Sequence, residues 1–418
     1  MIEWSEQEKQ IAQMVRRFVE TEIKPKIDDI EHKGEPPYEI LRKMVKTFGL
    51  ADMAKGRFAS QIKRDKARLE AEEKGTPVED KPKREKSPEE RRMEAAMRII
   101  PVIEMCRYSP GMVTALGVSM GLTANAIMSK GTIAQKERWA LDLLTLEKIG
   151  AWAISEPSSG SDAFGSMKAT AKRDGDGGYI LNGSKTFITN GPYADTIVYI
   201  CKLDEGNDPK ERKVLHFVLD KGMEGFTQSK PLRKMGMHSS PTGELFLSDV
   251  KVGIDRLLGE TEERGGSGGR KGAKETFTAE RTGVAAMALG IIEQCLKLCV
   301  DYAKTREQFG KAIGQFQLIQ LKLAKMEVAR LNVENLVFRQ LEMASHGRSM
   351  TLAEASACKL YAAQSAMEVC LEAVQLFGGN GYMAEYRVEQ LCRDAKVLQI
   401  YGGTDEIQVT QIARDLLA

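Results

Sequence analysis

The apolar residues of this chain change their spacing twice, and that change constrains the fold more than any single motif does. In the first third they recur at helical intervals. Ile11, Met14, Val15, Phe18, Val19 and Ile23 follow Ser5, a helix-starting residue with acids in the first turn. Pro25 is expected to end that helix, and a second is predicted from Pro37 to Phe48 on Ile40, Leu41, Met44 and Val45. Beyond Trp152 the pattern turns to short strands: Tyr179 to Leu181, Thr196 to Lys202, Val214 to Asp220 and Glu244 to Val252, separated by Gly, Asp and Asn turns. From Phe277 long helices resume, through Val284, Met287, Ile291, Ile292, Cys295 and Cys299, and again from Ala353 to Phe377, where Gly378-Gly379-Asn380-Gly381 stops the run. The order helix, β, helix predicts an α+β multidomain protein. It divides into an all-α segment 1–148, an antiparallel β domain 149–257 and a helical segment 258–418.

Two stretches interrupt this order. Between about 61 and 92, Lys, Arg, Glu and Asp dominate and Pro77, Pro82 and Pro88 break the run, so a solvated helical excursion is expected there; Ser87-Pro88-Glu89-Glu90 is a strong helix start. Gly265-Gly-Ser-Gly-Gly269 lacks both a preceding strand and the Gly-Lys-Ser/Thr ending of a phosphate loop, and reads as a linker.

Composition excludes several functions. Over 418 residues the formal charge is only +2, so neither a nucleic-acid track nor an anionic-membrane patch is expected. Seven Cys without a Cys-x-x-Cys pair read as reduced core thiols in a cytoplasm-like compartment, and four His without metal-ligand spacing predict no metal site. The first residues do not resemble a targeting segment, and no run is expected to reach the roughly 18 apolar residues of a membrane span.

The chemistry is concentrated in Ala151-Trp-Ala-Ile-Ser-Glu-Pro-Ser-Ser-Gly-Ser-Asp-Ala-Phe-Gly165 and Leu181-Asn-Gly-Ser-Lys-Thr-Phe-Ile-Thr-Asn-Gly191. The first begins apolar and runs out into hydroxyls, Pro157 and Gly160. That is either a polar surface loop or a loop aiming N–H and hydroxyl donors at an anionic or carbonyl-rich ligand. The stretch resembles the flavin-wrapping signature of the acyl-CoA dehydrogenases, and the resemblance extends over nearly all of the chain except 61–92 and the Gly-rich insertion. It implies an N-terminal helical domain, a middle β domain, a C-terminal four-helix bundle, and FAD. Trp152, Ile154 and Ser155 fall where that family lines the isoalloxazine, Ser161 where flavin and thioester ligand meet, and Phe187 and Thr189 where an aromatic and a Thr flank the flavin. Arg306-Glu-Gln-Phe-Gly310 with Gln317 resembles the segment touching the adenine half; Arg306, Phe309 and Gln317 are the matching positions. Gln375, Gly378 and Gly379 match a second cofactor segment, and Thr404 and Glu406 a third.

Oxidising an acyl thioester between Cα and Cβ requires a base for the Cα proton, a hydride acceptor and donors to the carbonyl. Many family members carry Glu directly after the Tyr of the last motif, but here that position is Gly402. The long-chain and isovaleryl branches place the base on a helix of the C-terminal domain. Phe277-Thr-Ala-Glu-Arg281 resembles that segment, which implies Glu280 as base and Phe277, Thr278 and Arg281 as substrate contacts. The carbonyl donor is expected to be the Gly402 N–H. The implied protein is a homotetrameric acyl-CoA dehydrogenase passing electrons to an electron-transfer flavoprotein. A flavin oxidase, or a flavin-containing DNA-binding or scaffold relative, are the alternatives.

Overall fold

The computed structural model describes residues 3–75, 84–263 and 268–418, with backbone alone over 268–277 and at Ala279. Helix α1 (Glu6–Phe18) starts in a reciprocal cap: Glu8 N donates to Ser5 Oγ at 3.2 Å and Ser5 N to Glu8 Oε2 at 2.7 Å. Pro25 does not end the run. The chain passes through a π turn (Val19–Ile23) and a 3₁₀ turn (Lys24–Lys26) into α2 (Ile27–Lys33), because Pro25 lies in a first turn, where its missing N–H costs nothing.

After α3 (Tyr38–Thr47), α4 (Leu50–Glu73) carries the first part of the charged stretch, 61–73, as one continuous helix, while 76–83 lie outside the described residues. It is docked rather than fully solvated. Ile62 is buried, Lys136 Nζ lies 2.8 Å from Asp65 Oδ2 and Lys66 Nζ 2.7 Å from Glu137 Oε1. Helix α5 (Pro88–Cys106) begins in a second reciprocal cap between Ser87 and Glu90. The short helices α6 (Pro110–Leu116), α7 (Asn125–Lys130), α8 (Ile133–Gln135) and α9 (Leu141–Leu144) complete this part.

Seven strands follow: β1 (Gly150–Ala153), β2 (Thr170–Arg173), β3 (Tyr179–Thr189), β4 (Thr196–Leu203), β5 (Val214–Asp220), β6 (Phe226–Gln228) and β7 (Thr242–Val252). The expected antiparallel sheet is corrected to a mixed one, since β1 and β2 both pair with β4 in parallel. They lie end to end along β4, while β5 runs antiparallel to it. Apolar alternation locates a strand but says nothing about its neighbour or its direction.

The last part consists of α10 (Gly268–Thr305), a hairpin β8 (Glu307–Gln308) and β9 (Lys311–Ala312), then α11 (Gln317–Ser345), α12 (Leu352–Phe377), α13 (Val388–Lys396) and α14 (Asp405–Leu416). Of the expected Gly-rich linker, 265–267 lie outside the described residues, and Gly268 and Gly269 already belong to α10. One continuous core gathers Val284, Leu289, Ile291 and Ile292 of α10 with Val333 of α11, Ala366 of α12 and Leu391 of α13. Helix α10 also crosses α5 closely. A Cβ at Gly290 would lie 2.2 Å from the Ile103 carbonyl oxygen, so only glycine fits the crossing.

Two stretches, Pro110–Lys130 and Glu280–Thr305, do reach the length and apolarity of a membrane span, contrary to the sequence expectation. The second is the central strut of the bundle, and its apolar surface is largely consumed by that core.

Candidate active site

The strand-end loop that opens the β domain is organised by a buried charge. Glu156 accepts from Lys168 N at 2.7 Å, Ala169 N at 3.0 Å and Lys185 Nζ at 2.8 Å, and both charged side chains are almost fully buried. Lys185 also donates to the Ile154 carbonyl at 3.0 Å, and Thr186 N to the Ser155 carbonyl at 3.0 Å. These bonds hold the end of β1 against β3. They bring half-buried Trp152, Ile154 and Ser155 beside the Phe187–Thr189 segment, while Ser161 lies exposed on the loop beyond. Desolvation drives the Lys185 pKa down, with Glu156 opposing it.

Phe187 shows the signature of a ligand-facing residue. Its φ is 57°, at a break in the β3–β7 register between Lys185 and Ile188, and its ring is 72% exposed. A left-handed backbone costs a bulky residue energy, and an exposed ring returns none of it inside this chain. The residue fits a planar aromatic group laid against it, as a flavin supplies. Thr189, on the same strand, is half-buried.

On the helical side, Glu280 and Gly402 meet. A Cβ on Gly402 would lie 3.5 Å from Glu280 Cδ and Oε1, so the two positions that sequence reasoning treated as alternatives share one spot. Gly402 and Gly403 have φ of 61° and 90° in a turn leading into α14. Thr404 caps that helix, accepting from Ile407 N at 3.4 Å, and Glu406 is exposed in its first turn. Its own backbone N–H, then Thr404, hold the Glu406 carboxyl below the usual range. Glu280 is an exposed residue, yet desolvation raises its pKa, against the pull of Arg281 and Lys359.

Arg281, expected to contact substrate, is buried; its Nη1 donates to Ser356 Oγ at 2.8 Å, and its Nη2 would lie 3.6 Å from a Cβ on Gly403. Thr278 is half-buried with its carbonyl bonded to Thr282 Oγ1; the Phe277 side chain lies outside the described residues.

The residues expected around adenine collect at the other end of the bundle. From Glu280 to Thr305, α10 extends about 37 Å at ~1.5 Å per residue. Arg306 follows immediately, exposed, and Phe309 and Gly310 form the tip of the β8–β9 hairpin with φ of 53° and 77°. Phe309 is 93% exposed and Gln317 opens α11 beside it. Gln375, Gly378 and Gly379 reach the same end, because Tyr302 stacks on Phe377 at 4.1 Å. Arg306 therefore lies at the opposite end of α10 from Glu280 within the chain.

Sequence reasoning missed Lys185, Glu156, Lys359, Asp405 and Gln408. Lys359 is completely buried against Asp405, and Gln408 donates to the Gly402 and Gly403 carbonyls at 3.1 and 2.7 Å. The only available signal was a charged residue at a core-facing helical position, which Lys359 is on α12.

The chain thus combines a mixed sheet between two helical parts with a carboxylate beside a Gly turn. The acyl-CoA dehydrogenase N-terminal, middle and C-terminal domain models match residues 5–55, 151–250 and 267–417. The chain is 42% identical over 311 residues to "Acyl-CoA dehydrogenase, short-chain specific" of Megasphaera elsdenii, covering 74% of this chain and 79% of that protein. It is 34% identical to the "Caffeyl-CoA reductase-Etf complex subunit CarC" of Acetobacterium woodii, over 99% of both chains. The solved butyryl-CoA dehydrogenase of Megasphaera elsdenii superposes with a TM-score of 0.78 at 35% identity, covering 100% of this chain and 99% of that one. The chain belongs to the acyl-CoA dehydrogenase family, whose members are FAD-dependent oxidoreductases.

Proposed function

We propose that this protein oxidises an acyl-CoA thioester to the trans-2-enoyl thioester, with Glu280 as the base that takes the Cα proton. The observation that carries this reading is the contact of Glu280 with Gly402. Where the family resemblance has a carboxylate on the turn, this chain has a glycine, and the Glu280 carboxylate occupies the space beside it. The proton moves from Cα to a Glu280 oxygen, and the Gly402 N–H donates to the thioester carbonyl as enolate charge develops on it.

Trp152, Ile154, Ser155, Phe187 and Thr189 would hold the isoalloxazine, with Thr404 and Glu406 beside it. FAD, when bound, supplies the hydride acceptor that no side chain can provide. Because Arg306, Phe309, Gln317, Gln375, Gly378 and Gly379 lie at the far end of α10, they would serve the adenine half of a neighbouring subunit's cofactor, which favours a homotetramer. Ser161 would approach the thioester ligand and Arg281 would position Glu280 from behind. Electrons would pass to an electron-transfer flavoprotein, a reading supported by the Etf-complex relative.

Glu280→Gln keeps shape and hydrogen bonding but cannot accept the proton. Bleaching of the flavin by substrate should fall ~10² to 10⁴-fold with FAD and acyl-CoA binding retained. Bleaching at the wild-type rate would remove Glu280 from the reaction.

A further inference from the structure

The turn that carries the Gly402 N–H is held by the side chain of Gln408. This residue sits one turn into α14 with no exposed surface, and its backbone N–H bonds the Thr404 carbonyl at 3.0 Å. From there its side chain folds back past the start of the helix, and the amide donates to the carbonyls of Gly402 at 3.1 Å and Gly403 at 2.7 Å. A carboxamide has two N–H donors, so both go to the turn. Its Oε1 is buried without a partner. An unpaired buried acceptor is destabilising, and the two bonds to the turn are what this placement gains in return. On the other side of the turn, Tyr401 N bonds the Val397 carbonyl at 3.0 Å, so the chain is anchored just before Gly402 and again at both glycine carbonyls. Between these anchors the Gly402 N–H meets no acceptor among the described residues.

We infer that Gln408 is a positioning residue for the reaction: its amide clamps the Gly402–Gly403 turn so that the unpaired Gly402 N–H is presented to the thioester carbonyl. The inference rests on the proposed reading of Gly402 as the carbonyl donor. A glycine at φ 61° followed by a glycine at φ 90° makes a permissive backbone, because neither residue has a Cβ to exclude other conformations. A donor on such a backbone stabilises developing oxyanion charge only if its direction is fixed before the substrate arrives. Gln408 supplies by hydrogen bonding the rigidity that two glycines lack. The fit is mutual: a Cβ on Gly403 would lie 2.7 Å from Gln408 Nε2, so the clamp closes only over glycine at that position. Proton transfer itself stays with Glu280, whose carboxylate lies beside Gly402 and not in the clamp.

The test uses the FAD-loaded enzyme saturated with crotonyl-CoA labelled with carbon-13 at the thioester carbonyl, and reads that carbonyl stretch by isotope-edited infrared difference spectroscopy. In the wild type the bound band should lie below its position in water, because a fixed donor polarises the C=O bond. Gln408→Met keeps the volume but removes both donors, and should abolish about half or more of that downshift. Flavin bleaching by saturating butyryl-CoA should fall about tenfold, part of the ~10² to 10³-fold that deleting such a donor costs, while the Kd of crotonyl-CoA changes less than about threefold. A purely structural role would lower the melting temperature and leave the carbonyl band in place. If the Met variant does not fold, Gln408→Glu, with the same shape and at most one proton to donate, should still lose part of the downshift. A wild-type band position in whichever variant folds would overturn the inference. The underlying reading fails separately: a wild-type enzyme whose bound carbonyl is not downshifted would remove Gly402 as the donor before any variant is made.

Discussion

At the scale of single residues, the site is a compromise between backbone strain and charge burial. Gly402 illustrates the first. At φ 61° a Cβ costs ~1 to 2 kcal/mol, while its 3.5 Å distance to Glu280 would be an ordinary contact, so the cost is one of backbone conformation. Gly402→Ala should therefore lose about that much stability in a urea titration, and its rate of flavin reduction should fall more than its acyl-CoA affinity. A Glu placed at 402 meets the same backbone cost beside an occupied position, so it should rescue Glu280→Gln only weakly. Lys185 and Glu156 illustrate the second. Replacing Lys185 by Met leaves a carboxylate buried with two N–H donors but no cation, and should cost ~3 to 5 kcal/mol with loss of bound FAD. A Lys185→Met, Glu156→Gln pair recovering most of that stability would confirm that the orphaned charge, not lost packing, sets the cost.

Among the elements, the β8–β9 hairpin has the most unusual energetics. Its tip places Phe309 in a left-handed conformation that suits Asn or Gly, with the ring almost wholly in solvent apart from an edge contact with Phe316 at 6.1 Å. Phe309→Gly should leave unfolding of the single chain within about 0.5 kcal/mol of wild type, because little packing is lost and strain is relieved. If the proposed homotetramer completes the adenine site, it should reduce FAD retention; unchanged FAD content on gel filtration would refute a cofactor role. Helix α5 offers a control far from the chemistry. Ser87→Ala removes the Ser87–Glu90 cap and should cost about 1 kcal/mol with the kinetics untouched.

Across the whole molecule, the three parts meet at one charge cluster. His238, in the segment between β6 and β7, has Nδ1 3.0 Å from the Glu31 carbonyl and 3.1 Å from its carboxylate, and Nε2 3.0 Å from the Lys234 carbonyl. Both ring nitrogens face acceptors, so both must donate and the ring is an imidazolium. Arg393 of α13 bonds the same Glu31 carboxylate, and Asp394 accepts from Met237 N. The Glu31 contact pushes the His238 pKa up to about 9. A folded-state value above the unfolded ~6.5 means that the stabilisation is complete below that pH and is lost as pH rises through about 9. With screening allowed for, the loss is on the order of 2 kcal/mol. Thermal melts should fall across this window in wild type and flatten in His238→Gln.

The sequence by itself determined the order of elements, because apolar spacing reports secondary structure locally: helical at Val15 and Phe18, alternating in β3, helical again at Ile291 and Cys295. The family resemblance, carried by two short contiguous motifs, also pointed to Glu280 and Gly402 together. What it could not contain was every relation that depends on distant segments coming together. The parallel pairing of β1 with β4, the docking of the charged α4 on Glu137, and the continuation past Pro25 were decided by neighbours that periodicity does not encode. Lys359 and Asp405 are 46 positions apart, and Glu31 and Arg393 are 362 apart. The physical reason is that a buried charge is tolerated only where folding delivers its partner, and no local pattern announces which residue that will be.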